Sequence, residues 1–184
     1  MDGVLSTNQK GAIAETAIIH TAVKLGIGVF RPVLDERYDL IFDLRPRLLR
    51  VQCKWAVRRG DVVAVRCYSS RRGREGMVVR TYGSDEVDMI AAYCAEVDRC
   101  YALPIELCSG RRQIHLRLGP ARNNQRAGVH EARAFEFDAT LGPDPGAIAQ
   151  LGERLAGSQK VAGSSPAGSI TPLRSRAEQI PLKL

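Results

Sequence analysis

Two apolar, strand-like runs carry polar and ionisable residues where a plain core strand has none. Tyr38-Asp39-Leu40-Ile41-Phe42-Asp43 is followed by a short basic turn and then by Leu48-Leu49-Arg50-Val51-Gln52-Cys53-Lys54. Burying an acid, an amide and a lysine without partners or a metal is costly. The pair of segments therefore constrains both the fold and its use. Oxygen ligands for a hard divalent cation, with an ammonium beside an attacking water, are what metal-assisted phosphodiester hydrolysis requires.

Around these segments the pattern is that of a mixed α/β chain. Ser6-Thr7-Asn8 offers N-cap oxygens to a helix whose apolar stripe is Ile13, Ala14, Ala17, Ile18, Ala22 and Leu25, with Gly26 placed to stop it. Short strands are expected at 29–31, 38–43, 48–55 and 62–68, and a flexible basic loop at 71–76. A strand at 77–82 comes next, then a second helix capped by Ser84 and running to Val97, with Val87, Ile90, Ala91, Cys94 and Val97 turned inward. Strands at 101–107 and 113–118 and an extended piece at 129–137 complete the order. Helices flanking one central sheet are the expected architecture.

A hairpin turning between Arg45 and Pro46 sets Asp39 opposite Gln52, with Lys54 on the same face and the Cys53 side chain on the other. Asp43 shares the face of Asp39 and is the alternative ligand. The lesser alternatives are Glu15 as a solvated helix acid and Lys54 as a surface lysine stacked on Trp55.

The ordered set of Gly11-Ala12-Ile13-Ala14-Glu15 on a helix, Tyr38-Asp39-Leu40-Ile41-Phe42 on a strand and Val51-Gln52-Cys53-Lys54 on the next resembles the PD-(D/E)xK nuclease superfamily. Within it, the set is similar to intron-encoded homing endonucleases, relatives of Holliday-junction resolvases. The resemblance implies a restriction-endonuclease-like α/β core with a mixed central β-sheet flanked by helices, over residues 1–142. It implies a Mg2+ (or Mn2+) dependent endonuclease acting on double-stranded DNA as a homodimer or homotetramer. Asp39 would ligate the metal with the Gln52 amide oxygen and the Cys53 carbonyl. Lys54 would orient or deprotonate the attacking water, and Glu15 would bring a second carboxylate. The superfamily pattern has an acid at position 52. Glutamine removes one negative charge and weakens the hold on the metal. A structure-selective resolvase, or a DNA-binding module whose nuclease has decayed, are the alternative functions.

Charge supports a polyanion partner. Of the net charge of +7, the stretch from Arg45 to Arg80 alone holds eleven Lys/Arg against two acids. Arg58, Arg59, Arg66, Arg71, Arg72 and Arg74 are the candidate DNA contacts, with the strand at 62–68 in the form of a β-ribbon for the major groove. Tyr68 and Tyr82 could contact DNA, although core or rim tyrosines are commoner. The five cysteines form no CxxC pair and are expected as reduced, buried thiols, consistent with a cytoplasmic protein. No run is long and apolar enough for a membrane span. Past Gly142 no apolar period persists. Residues 143–184 are expected as a disordered tail, and Ile148 to Leu155 followed by Gly163-Ser164-Ser165-Pro166 resembles a translated transfer-RNA gene.

Overall fold

The computed structural model describes residues 5–120 and 129–142. The tail expected at 143–184 lies outside them. The first helix, α1 (Thr7–Lys24), opens on a capping box: the Gln9 N–H donates to Ser6 Oγ at 3.3 Å and the Ser6 N–H to Gln9 Oε1 at 2.9 Å. It ends at Gly26, whose φ of +76° suits a residue without Cβ. Ala14, Ile18 and Ala22 are its buried stripe, while Ile13, expected in it, is 38% exposed.

Strands β1 (Gly28–Phe30), β2 (Leu40–Asp43) and β3 (Leu48–Arg59) run antiparallel in succession. The last part of β3 passes to β4 (Val62–Arg66), which pairs in turn with β9 (Gln113–Arg117) and through it with β10 (His130–Glu131). β5 (Tyr68–Gly73) and β6 (Gly76–Thr81) form a separate two-stranded hairpin. β7 (Met89–Cys94) lies parallel to β3 and antiparallel to β8 (Arg99–Pro104). Helix α2 (Ile105–Cys108), a 3-10 turn at Ala132–Phe135 and helix α3 (Phe137–Leu141) complete the fold.

Four expectations change, the first being the strand at 101–107, which ends at Pro104 where helix α2 begins. The second helix is strand β7, with five of its six residues buried between β3 and β8. A strand covered on both faces is apolar throughout, so its spacing mimics a helical stripe. Of the acids before it, Glu86 and Asp88 are ion-pair partners and not part of a helix's first turn. No interface helix therefore exists at 85–97. The flexible loop at 71–76 is a paired hairpin turning at Arg74-Glu75, with Gly76 at φ +126°. The extended piece at 129–137 is a two-residue strand followed by helical turns.

Both faces of the sheet are buried. On one, α1 covers Leu40, Phe42, Val51, Cys53, Met89 and Ala91. On the other, Ala56, Ile90, Ala92, Val63, Val65, Tyr82, Tyr101 and Leu116 form a second core. All five cysteines are buried and free, as expected. No helix among the described residues is long and apolar enough to cross a membrane.

Arg50 on β3 pins the segment before β7. Its N–H and Nε donate to Asp88 Oδ2 at 2.7 and 3.0 Å, Nη2 to Asp88 Oδ1 at 2.9 Å and to the Ser84 carbonyl at 3.0 Å, and Nη1 to the Asp85 carbonyl. Burial pushes the Asp88 carboxyl up, but hydrogen bonds and charge from Arg50 outweigh it and the net shift is downward. Asp88→Asn is expected to lower stability by about 1–2 kcal/mol, reduced by solvent screening at this part-exposed pair. Because the folded carboxyl titrates low, the difference from wild type is full above the unfolded carboxylate range, about pH 4. It fades as pH falls through the folded value. Urea midpoints measured at pH 7 and in acid check this.

Candidate active site

The β2–β3 hairpin determines which side chains meet. Leu40 lies opposite Val51 and Asp43 opposite Leu48, the register that places Asp39 across from Gln52. The turn closes by a hydrogen bond from the Leu44 N–H to the Arg47 carbonyl at 2.8 Å, around a cis Arg45–Pro46 peptide. Arg45 takes the positive φ of 27° that proline cannot. Asp43 is committed to this turn: its Oδ1 accepts from the Arg45 N–H at 3.0 Å and its Oδ2 lies 3.6 Å from Arg45 Nε.

Asp39 sits just before β2, held by its own N–H on the Val51 carbonyl at 2.9 Å. Its Oδ2 accepts the Cys53 N–H at 2.7 Å and also the Gln52 side-chain amide. The same amide nitrogen lies 3.3 Å from the Cys53 carbonyl, to which it donates. A carboxylate oxygen and a carbonyl oxygen thus converge on one NH2 group, with Gln52 only 8% exposed. Burial pushes the Asp39 carboxyl up, against the opposing pull of the Cys53 N–H, Lys54, Arg31 and Gln52.

Lys54 shares the face of Gln52, two residues along β3. Its ammonium donates to Tyr82 Oη at 2.7 Å and lies 4.8 Å from the Tyr82 ring centre. It is not stacked on Trp55, whose neighbours are Tyr93 in an edge contact at 5.9 Å and the Lys10 ammonium at 6.0 Å. Burial lowers the Lys54 pKa, an effect the Asp39 charge opposes. Glu15, on α1, is paired with Arg31 Nη1 at 3.2 Å. Its charge reaches the buried Cys53 thiol, but its carboxylate is engaged by the arginine. The structure therefore brings Asp39, Gln52, the Cys53 carbonyl and Lys54 together, with Glu15 alongside in an ion pair.

Donor chemistry suits a hard cation. Among the described residues no three His, Cys, Asp or Glu side chains cluster to hold a metal, so any ion here relies on mixed oxygens. Asp39 Oδ2 and the Cys53 carbonyl supply two. The Gln52 amide, turned over, presents its oxygen where its NH2 group now donates, since the two ends are nearly isosteric. A desolvated carboxylate with a raised pKa is also what a bound cation relieves.

The candidate arginines divide in two. Arg58 and Arg59 end β3, with Arg58 Nε on the Gly60 carbonyl at 3.0 Å, and Arg66 ends β4; all three are exposed. Arg71 and Arg72 on β5 and Arg74 at the turn are exposed on the free hairpin. The ribbon expected at 62–68 is misplaced. β4 is an interior strand between β3 and β9 with Val63, Ala64 and Val65 buried, and the protruding ribbon is β5–β6.

Sequence reasoning missed Arg37, Glu86 and Arg31 as neighbours of the site and left Tyr82 as an ordinary core tyrosine. Arg37 adjoins the Tyr38-Asp39 run, but no spacing marked a stacked guanidinium. Glu86 looked like a helix-cap acid.

Comparison with known proteins bears on this geometry. The model of the PD-(D/E)XK endonuclease family matches residues 5–138. A solved structure of a bacterial homing endonuclease, I-Ssp6803I, is similar at 27% identity and a TM-score of 0.58, over 86% of this chain and all of that one. No curated protein matches.

Proposed function

The chain belongs to the PD-(D/E)XK endonuclease family, and from that premise we propose that it hydrolyses phosphodiester bonds of duplex DNA with Mg2+ or Mn2+, as an intron-homing type of nuclease. The observation that carries this reading is the convergence of Asp39 Oδ2 and the Cys53 carbonyl on the Gln52 amide, with the Lys54 ammonium on the same face. Asp39, the Cys53 carbonyl and the turned Gln52 amide would hold the ion. Bound there, a divalent cation supplies Lewis-acid polarisation of a phosphate oxygen and a more acidic attacking water.

The protein's own groups have separable tasks. The Asp39 carboxylate is held in one rotamer by the Cys53 N–H on its Oδ2, so it is oriented before substrate arrives. Lys54 presents an ammonium that offsets charge accumulating on the phosphoryl oxygens. In its neutral form the same amine would instead take a proton from the attacking water, and burial, which lowers its pKa, favours that form. Glu15 keeps Arg31 beside Asp39 and so tunes the local charge. The exposed arginines of β5–β6 and of the β3–β4 turn would meet the DNA backbone and grooves. Two copies of the chain, as a homodimer or homotetramer, would supply two sites for two strands. Residues 1–142 would form the nuclease domain, with 143–184 an appended tail.

The test is cleavage of supercoiled plasmid, a four-way junction and a tRNA-gene duplex, with Mg2+ or EDTA. Cutting that needs the metal is expected, whereas binding without any cutting would reduce the protein to a DNA-binding module. A second readout does not depend on activity. Gln52→Glu buries a second carboxylate against Asp39, so in EDTA its Tm is expected below wild type. Mg2+ or Mn2+ should raise the variant's Tm more than that of wild type. Equal metal responses in the two proteins would place the ion elsewhere.

A further inference from the structure

Lys54 is tied to a neighbour that lies outside the Asp39, Gln52 and Lys54 set. Tyr82 is the residue directly after β6 and is 3% exposed. Its hydroxyl receives the Lys54 ammonium at 2.7 Å, and burial pushes its phenol up to about 12, so it stays neutral. On the same ring stacks Arg37, its guanidinium carbon 4.4 Å from the ring centre. One aromatic ring therefore serves two cations, and part of their mutual repulsion is offset by the ring and by Glu86.

Arg37 is also bound to both strands of the hairpin. Nη1 donates to Ser69 Oγ on β5 at 2.9 Å and Nη2 to the Thr81 carbonyl on β6 at 3.1 Å. Its Nε lies 3.3 Å from Glu86 Oε1, the oxygen that also receives Arg80 of β6. Glu86 in turn belongs to the segment that Arg50 clamps to β3. Among the described residues β5–β6 has no ladder bonds to the main sheet, so these side chains help to attach it.

We propose that Tyr82 is a positioning residue for Lys54 and that Arg37 ties that placement to the hairpin, so that how DNA holds the hairpin sets where the ammonium sits. This rests on the nuclease reading above. It makes a definite distinction: the ring and hydroxyl of Tyr82 act on cleavage through Lys54, not on DNA affinity. Arg80 is shared between Glu86 and the exposed hairpin surface. A DNA phosphate that draws Arg80 away leaves the Glu86 carboxylate wholly to Arg37, which changes the pull on the Tyr82 ring.

Tyr82→Phe keeps the packing and the ring face but loses the hydroxyl. Its single-turnover cleavage rate at saturating protein should fall about ten- to a hundredfold, the scale of a misplaced catalytic group. DNA affinity, measured with Ca2+ in place of Mg2+, should stay unchanged. A second reading comes from the side-chain ammonium 15N spectrum, tractable with five lysines in the chain and Lys54→Arg for assignment. Wild type should show one slowly exchanging ammonium, lost in Tyr82→Phe and displaced in Arg37→Lys, which cannot bridge Ser69 and Thr81. Wild-type cutting by Tyr82→Phe, equal losses of rate and affinity, or an unmoved Lys54 signal would each overturn the proposal. A wild-type protein that cuts no DNA would instead remove the nuclease activity, and the spectrum would still decide the positioning.

Discussion

Asp39→Asn is expected to lower DNA cleavage by at least about a thousandfold while leaving DNA binding within a factor of about three, a loss near 4 kcal/mol of transition-state stabilisation. Asparagine keeps the size of the side chain and an oxygen that accepts the Cys53 N–H, so the β2–β3 hairpin keeps its register. What disappears is the one formal negative charge among the proposed ligands, because position 52 is an amide and 53 contributes a neutral carbonyl. A site with two acids retains part of its hold on a cation when one is lost, but this one does not. Asp39→Ala is the harsher variant. It also leaves the Cys53 N–H without its acceptor and the buried Gln52 amide with the Cys53 carbonyl alone, at a cost to stability of about 1–3 kcal/mol. Asp43→Asn separates site from scaffold: its carboxylate caps the hairpin turn through Arg45, so cleavage is expected near wild type. The reverse ranking of the two asparagine variants, in single-turnover assays at equal folded fraction, would mean the wrong acid has been chosen. Lys54→Ala is expected to cost about a hundredfold or more, the usual range for a positioned acid–base group.

The reason that this site was legible is that its geometry is local. A hairpin has period-two faces and a turn that determines its register, so Arg45-Pro46 alone placed Asp39 against Gln52 and put Lys54 beside them. The α1 cap and its stop at Gly26 were legible for the same reason, since both depend on neighbours in sequence. β7 was not. Met89-Ile90-Ala91-Ala92-Tyr93-Cys94 is apolar on both faces because β3 and β8 flank it, and its β3 partners lie 38 positions earlier in the chain while β8 follows after a short turn. Nothing within the segment distinguishes a strand so covered from one side of a helix. Ser84, Asp85, Glu86 and Asp88 reinforced the error, because the ion-pair partners of Arg50, Arg37 and Arg80 (Glu86 and Asp88), with the Ser84 and Asp85 carbonyls that Arg50 also binds, have the composition of a helix start. The Tyr82–Lys54 contact joins residues 28 apart across two sheets, and no periodicity encodes it. The strand read as an arginine ribbon, 62–68, lies inside the sheet as β4. Positive charge at 71–74 was visible, but which strand stood free of the sheet is a property of the assembled topology.

That topology makes the hairpin the place where charge reversal should matter most. Arg71→Glu, Arg72→Glu and Arg74→Glu together are expected to weaken DNA binding by more than about a hundredfold and to make the slope of log affinity against log salt shallower by about 3. All three side chains are exposed, and none is among the residues that anchor the base of the hairpin, which are Ser69, Arg80 and Thr81. The triple variant should therefore keep the wild-type Tm and circular dichroism. The cross-strand register sharpens the expectation: Arg71 lies opposite Val78 and Arg72 opposite Met77, so the two arginines project to opposite faces of the ribbon. A ribbon that enters a groove turns one face to the bases and leaves the other toward backbone phosphates. One of the single reversals should then weaken all sequences alike, and the other should also blur discrimination among target variants. Lys24→Glu, in the last turn of the helix on the far face of the sheet, controls for net charge. If it weakens binding as much as a hairpin reversal does, the attraction is a diffuse property of a basic protein and β5–β6 is not its docking arm. If the triple variant binds as wild type does, the DNA lies instead along Arg58, Arg59 and Arg66, and the hairpin's link to Lys54 loses its trigger.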